Sequence, residues 1–128
     1  MNKDFDYEQM LKGELYIASS IFAENNSSHG KKLTQKINDL PIDKIEDIVW
    51  LVRELFGKSG DNIYVTPHLH VDYGRHIEVG HNFYANMDCF FLDVNKIIIG
   101  YNVMVGPRVS FYTAGHPTDA EVRKTDLE

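Results

Sequence analysis

The feature that most constrains this chain is a repeat of apolar residues every six positions in its second half. One series of apolar or aromatic residues falls at Val65, Val71, Ile77, Phe83 and Cys89, and a second falls at Ile99, Val105 and Phe111. A period of six suits neither an amphipathic helix, whose period is about 3.6 residues, nor the alternation of a hairpin. It favours a three-sided coil in which each side is a short strand plus a turn, so that about 18 residues make one rung.

The two series are out of phase, because Cys89 and Ile99 lie ten residues apart. We therefore predict that residues 90–96 form a loop that bulges from the coil at that corner. The alternative is a small β-sandwich with short strands. The regular repeat favours the coil over that alternative.

Helical patterns fill the first part of the chain. Residues 4–16 form a short amphipathic segment broken at Gly13, and residues 29–40 form a helix that Pro41 stops. The strongest helical pattern runs from a predicted cap at Asp43 to a stop at Gly57. The turn-rich residues 58–62 then divide a helical region, 1–60, from a coiled β region, 61–128.

The composition excludes several classes of function. A length of 128 residues allows one domain, and a net charge of −6 argues against a nucleic-acid groove or a basic membrane-binding face. The N-terminus has no apolar core of a signal peptide, and no apolar run is long enough to span a bilayer. A single cysteine, Cys89, forms no internal disulfide and fits a reducing, cytoplasmic location. We expect it to be a small buried apolar residue rather than a nucleophile.

Five short segments resemble the hexapeptide-repeat O-acetyltransferases, and within these the maltose and galactoside acetyltransferase group. In chain order they are MLKGELY, NFYAN, LDV, IIIGYNVMVGP and TAGHPTD. The resemblance covers essentially the whole chain. It implies a mainly β fold, a left-handed parallel β-helix preceded by helices, with about three rungs present. It also implies homotrimers with active sites between subunits, and acetyl transfer from acetyl-CoA to a sugar hydroxyl.

The resemblance implies catalytic roles for His116 and Asn86. The transfer needs a base for the hydroxyl proton and a donor that stabilises the tetrahedral oxyanion. Of the six histidines, only His116 occupies the Gly-His-Pro position of the family, so it is the expected base. Asn86 matches the asparagine that stabilises the transition state. Without the resemblance, a surface histidine and a turn asparagine are the ordinary interpretations of these residues.

Three further residues are expected to bind the sugar acceptor. Asp93 matches an acceptor-binding carboxylate, since a carboxylate accepts hydrogen bonds from hydroxyl groups. Tyr84 is similar to a pocket tyrosine of the family, and packing against the β-helix is an equally good interpretation of it. Asp72 falls where related enzymes place a small polar contact. For Asp93 the ordinary alternative is a solvated acid in a loop.

The remaining histidines of the β region do not predict a metal site. His68 and His70 are two residues apart, which places them on one face of a strand, and His76 and His81 are expected at turns of the coil. No carboxylate or thiol completes a zinc-binding spacing with them, so we expect no metal. The expected co-substrate is acetyl-CoA alone.

Two departures from the family bear on function. Ala18 stands where the family has an aspartate that contacts the acceptor. The family also continues past the TAGHPTD segment with further rungs that carry most of the acetyl-CoA contacts, whereas this sequence ends at Glu128. We therefore expect the acceptor half of an acetyltransferase, either as a piece of a longer enzyme or as a weakly active short form. The alternatives are a non-catalytic sugar-binding or oligomerising module, or a purely structural β-helix.

Overall fold

The computed structural model describes residues 3–128, so the first two residues of the predicted helical region lie outside the described part. Three helices come first: α1 (Phe5–Lys12), α2 (Ser28–Asp39) and α3 (Ile45–Leu55). Two 3₁₀ turns, Ala18–Ser20 and Ala23–Asn25, connect α1 to α2, and a short helix α4 (Ala120–Arg123) follows the β region. Along residues 3–128, no helix combines the length and apolarity that crossing a membrane requires.

The ends of the helices can be compared with the boundaries that the sequence predicted. Helix α1 ends at Gly13, whose φ of 78° lies in the left-handed region that glycine favours, as predicted. Gly57 directly follows the last cap residue of α3, also as predicted. The predicted cap at Asp43 is wrong. The N–H of Lys44 bonds to the carbonyl of Pro41, so Asp43 lies inside a turn and the helix begins only after Lys44.

The described residues after α3 form nine short strands. They are β1 (Lys58–Ser59), β2 (Ile63–Val65), β3 (Leu69–Val71), β4 (Ile77–Val79), β5 (Phe83–Ala85), β6 (Cys89–Leu92), β7 (Ile97–Ile99), β8 (Met104–Val105) and β9 (Ser110–Tyr112). They pair in parallel in three sheets, β1-β4-β7, β2-β5-β8 and β3-β6-β9. Three consecutive strands make one rung, so the coil has three rungs. This confirms the predicted coil and excludes the β-sandwich.

One rung is 20 residues long rather than the predicted 18, because Ile63 pairs with Phe83 and Ile77 pairs with Ile97. The two extra residues lie at the corner after the third strand of a rung. That corner spans residues 72–76, whereas the next corner spans only residues 80–82. The difference in corner length is not visible in the six-residue series, because each strand has two inward-facing positions that are also two residues apart. The apparent six-residue series passed from the second inward position at Val71 to the first at Ile77.

The same geometry corrects the predicted loop over residues 90–96. Residues 90–92 belong to β6, and only residues 93–96 form the corner that leads to β7. This corner lies one rung above residues 72–76. We refer to residues 72–76 as the lower corner and to residues 93–96 as the upper corner.

An asparagine ladder marks a second edge of the coil. The side-chain amide of Asn62 donates to Asn82 and that of Asn82 donates to Asn102, each over 2.9 Å. All three residues have φ between 57° and 61°, the left-handed region that asparagine tolerates better than other side-chain-bearing residues. Their spacing of 20 residues is the rung length, and it could have been read from the sequence.

One apolar core joins α2 and α3 to the coil, and a second, smaller cluster packs Met10 of α1 against Tyr73. The inward side chains of the strands stack in layers, with Phe83, Cys89 and Phe91 fully buried. Ile37 of α2 and Ile48 of α3 are fully buried in the same cluster. Helix α2 packs on β3 and α3 packs on β2, so both helices cover the first rung. The buried location of Cys89 agrees with its expected role as an apolar residue.

Candidate active site

His116 lies in the extended segment after β9, and its side chain is exposed. Three adjoining cavities, of about 370, 360 and 530 Å³, share His116 as a lining residue. The first is bounded by residues 13–16, by Val94 and Asn95 of the upper corner, and by residues 113–117. An exposed imidazole at the junction of three cavities is accessible to a substrate from more than one side.

We call the three cavities around His116 together the cleft. One of its walls is the segment of residues 4–27, which we call the N-terminal strap. It contains α1 and both 3₁₀ turns. The backbone of Tyr16 in the strap pairs with that of Glu128, through hydrogen bonds of 3.2 and 2.8 Å. The strap is thus held on the same side of the molecule as His116.

Asp72, which the resemblance suggested as an acceptor contact, lines the second cavity together with His116. Its half-buried carboxylate lies 3.8 Å from the Lys31 ammonium. Burial raises the pKa of Asp72, and the charge of Lys31 acts in the opposite direction. Ala18 lines this cavity as well, so the residue that departs from the family pattern faces the same space.

Asp93 does not face that space, which corrects its predicted role as a sugar ligand. Its side chain is completely buried. Its carboxylate accepts the backbone N–H groups of Tyr73 at 2.8 Å, Asp72 at 3.1 Å and His76 at 3.2 Å. Burial raises the pKa of Asp93 to about 6 against the opposing effect of these hydrogen bonds. A carboxylate without exposed surface cannot accept a hydrogen bond from a sugar hydroxyl.

Tyr84 and Asn86 lie on another side of the coil and line none of the three cavities around His116. Tyr84 stacks on Tyr64 with ring centroids 6.4 Å apart, and its hydroxyl lies 3.3 Å from that of Thr66. The carboxamide oxygen of Asn86 accepts the N–H of Met87 at 2.7 Å. This leaves the NH₂ group of Asn86 as the part that can donate to another group. A single chain therefore does not bring the two predicted catalytic residues together.

The other histidines occupy separate environments. His68 is exposed just before β3, while His70 stacks on Phe90 with a centroid distance of 4.2 Å. His76 is buried in the lower corner, and burial lowers its pKa, whereas His81 is exposed at a bend. Within residues 3–128, no group of three histidine, cysteine or acidic side chains is arranged to hold a metal ion.

A polar network that no sequence pattern predicted joins the strap to the lower corner. The Tyr7 hydroxyl lies 3.0 Å from Nε2 of His76, and Arg75 donates to that hydroxyl at 3.2 Å and to the carbonyl of Asn25 at 2.7 Å. Tyr7 and His76 are 69 positions apart. No sequence pattern connects residues at that separation, so only the fold could show this contact.

Comparison with known proteins identifies relatives of both this sequence and this fold. No protein-family model matches the chain. The chain is 32% identical over 117 residues to the galactoside O-acetyltransferase of Escherichia coli (strain K12), covering 91% of this chain and 58% of that protein. It superimposes on a maltose O-acetyltransferase from Clostridium difficile 630 with a TM-score of 0.92 and 43% identity, covering 95% of this chain and 65% of that chain. A galactoside acetyltransferase in complex with coenzyme A matches with a TM-score of 0.88 and 30% identity, covering 95% and 61%.

These matches show the class of protein to which the chain belongs. It has the fold of the hexapeptide-repeat acetyltransferases, in which a left-handed parallel β-helix follows N-terminal helices. The fold class predicted from the sequence is thereby confirmed. Within that class, the chain is a homologue of the maltose and galactoside O-acetyltransferases, which confirms the family resemblance predicted from the sequence. The chain spans less than two thirds of the length of each of the three relatives described above.

Proposed function

We propose that the protein is an O-acetyltransferase that moves the acetyl group of acetyl-CoA onto a sugar hydroxyl, and that this chain carries the acceptor side of its site. The observation that supports this proposal is the exposed His116 in a cleft shared with Asp72 and the strap. The same fold occurs in a maltose O-acetyltransferase and in a galactoside acetyltransferase that binds coenzyme A.

In the proposed reaction the His116 imidazole takes the proton of the sugar hydroxyl while the oxygen of that hydroxyl attacks the thioester carbonyl of acetyl-CoA. A carbon–oxygen bond forms and the carbon–sulfur bond then breaks. The proton passes to the departing thiolate, so the products are an acetylated sugar and coenzyme A. Asp72 accepts a hydrogen bond from a second hydroxyl of the acceptor and so orients it.

Asn86 is proposed to stabilise the oxyanion through its free NH₂ group, and Tyr84 to contact the acceptor. Because neither residue lines the cavities around His116 within one chain, a second copy must supply them. This requirement supports the homotrimer with sites between subunits that the sequence resemblance implied. The donor acetyl-CoA would then lie along the junction between copies.

The experiment is a thiol-release assay with acetyl-CoA and a panel of maltose, glucose and galactosides, beside calorimetry with each ligand. His116→Ala should lower turnover by about 10²–10⁴-fold, because the general base is lost. The circular dichroism spectrum should not change, since the side chain is exposed. His29→Ala, an exposed histidine of α2, is the matched control and should keep full activity.

Two results would contradict the proposal. Retained activity of His116→Ala would show that another group is the base. Binding of a sugar without binding of acetyl-CoA or release of thiol would favour the non-catalytic sugar-binding module instead.

A further inference from the structure

Asp93 is the polar centre of the corner region beneath the cleft. One carboxylate oxygen accepts the N–H groups of Asp72 and Tyr73, and the other accepts that of His76. The backbone carbonyl of Asp93 also lies 2.7 Å from Nδ1 of His76. One buried residue thus holds both ends of the lower corner, including the backbone of Asp72.

The lower corner in turn anchors the N-terminal strap. The Tyr73 hydroxyl contacts the sulfur of Met10 at 3.6 Å. Arg75 and His76 contact Tyr7, and Arg75 also donates to the carbonyl of Asn25. Three residues of the lower corner therefore reach the strap, and the backbone of the same corner bonds to the Asp93 carboxylate.

The upper corner, where Asp93 itself lies, connects to the segment of His116. The N–H of Asn95 donates to Oγ1 of Thr113 at 3.0 Å, and that hydroxyl donates to the carbonyl of Leu92 at 2.7 Å. The side chain of Asn95 also donates to the carbonyls of Met10 and Leu11 in the last turn of α1. Thr113 lines the first cavity together with His116. The two corners thus join the strap, Asp72 and the His116 segment in one hydrogen-bonded unit.

We propose that Asp93 is a positioning residue that sets the acceptor-binding wall, formed by Asp72 and the strap, at its working distance from His116. This role replaces the direct sugar contact that the sequence predicted. The effect on the acceptor rests on the proposed acetyltransferase function. The effect on the order of the strap does not depend on that function.

Asp93→Asn is the variant that tests this role, because asparagine has nearly the same shape. Its NH₂ group replaces one acceptor oxygen and faces backbone N–H donors that then lose their partner. We expect the acceptor KM to rise about tenfold or more, with a much smaller change in kcat and an unchanged KM for acetyl-CoA. Amides of residues 72–76 and of the strap should exchange hydrogen faster, while those of β2 and β5 should not change. The matched control is Asp61→Asn, whose side chain is 97% exposed.

The outcomes are distinct. Unchanged exchange in the strap and the lower corner of a folded Asp93→Asn would overturn the inference, as would faster exchange spread evenly over every strand. If Asp93→Asn does not fold, Tyr7→Phe removes the strap's end of the same network and must raise the acceptor KM and strap exchange, or the inference fails. If the wild type transfers no acetyl group to any sugar, the proposed function fails, and the exchange measurements alone then decide the role of Asp93.

Discussion

Replacing Gly30 by alanine sets two physical effects of opposite sign against each other. Gly30 lies in the first turns of α2 and is buried against the lower corner. Helix propensity alone predicts that alanine stabilises the helix by about 1 kcal/mol. The packing predicts the opposite, because a Cβ atom at this position would lie 1.9 Å from the carbonyl oxygen of Tyr73 and 2.6 Å from its carbonyl carbon.

The packing effect should be the larger one. An ordinary contact between heavy atoms is about 3.5 Å, so α2 and the corner would have to separate by more than an ångström. The obstructing atom belongs to the backbone, and the N–H of Tyr73 is held by Asp93, so no side-chain rotation relieves the overlap. Overpacking of this kind typically costs about 1–3 kcal/mol, and we expect the upper end here. After the gain in propensity, the net loss in the free energy of unfolding is about 2 kcal/mol.

Urea unfolding followed by circular dichroism measures this change, with the m-value as a check that the transition keeps its character. Gly100→Ala is the control, since a Cβ atom there meets nothing within 4 Å and no left-handed φ is involved. Its free energy of unfolding should stay within about 0.5 kcal/mol of the wild type, or rise slightly. A Gly30→Ala protein that is as stable as the wild type or more stable would refute the argument.

Three further predictions concern the core, the pH dependence and the cleft. Phe91→Ala should lower the free energy of unfolding by about 3–5 kcal/mol in urea titrations, because the fully buried ring packs against Phe56 and Phe111, and a loss below about 1 kcal/mol would contradict that packing. Because burial raises the pKa of Asp93 from 3.8 to about 6, the folded state binds more protons than the unfolded chain between these values. Its contribution to stability should therefore fall as the pH rises from about 4 to 6, by at most about 3 kcal/mol. Unfolding titrations should show that Asp93→Asn removes this dependence of stability on pH. His76 has the opposite effect: because burial lowers its pKa, its contribution to stability is lost as the pH falls below the ordinary pKa of histidine. This second dependence should persist in Asp93→Asn. Ala18→Asp should lower the acceptor KM by about tenfold or more if the added carboxylate bonds to a sugar hydroxyl in the cleft, and an unchanged KM would show that this position does not contact the acceptor.

Much of the fold could be predicted because its information is local and repeated. Each strand turns its apolar residues inward at a fixed period, so the positions of Phe83 and Cys89 predicted both the strands and the coil. The rung length was predicted wrongly because each strand has two inward positions. A shift from the second of these to the first compensates for the two extra residues of a longer corner, so the six-residue spacing continues unbroken. The ladder of Asn62, Asn82 and Asn102 carried the correct period of 20 residues, since those residues repeat at the same corner of each rung.

The candidate site also has one part that the sequence predicted and another that only the structure revealed. The sequence alone predicted a three-sided coil with His116 at the end of a coil strand, because a short repeat and a Gly-His-Pro segment can be read directly from neighbouring residues. Only the tertiary structure decided that Asp72 shares the cleft of His116 while Asp93 lies buried beneath it. The physical reason is that solvent exposure and hydrogen-bond partners depend on what packs against a residue. The groups that surround Asp93 lie 17 to 21 positions away in the chain.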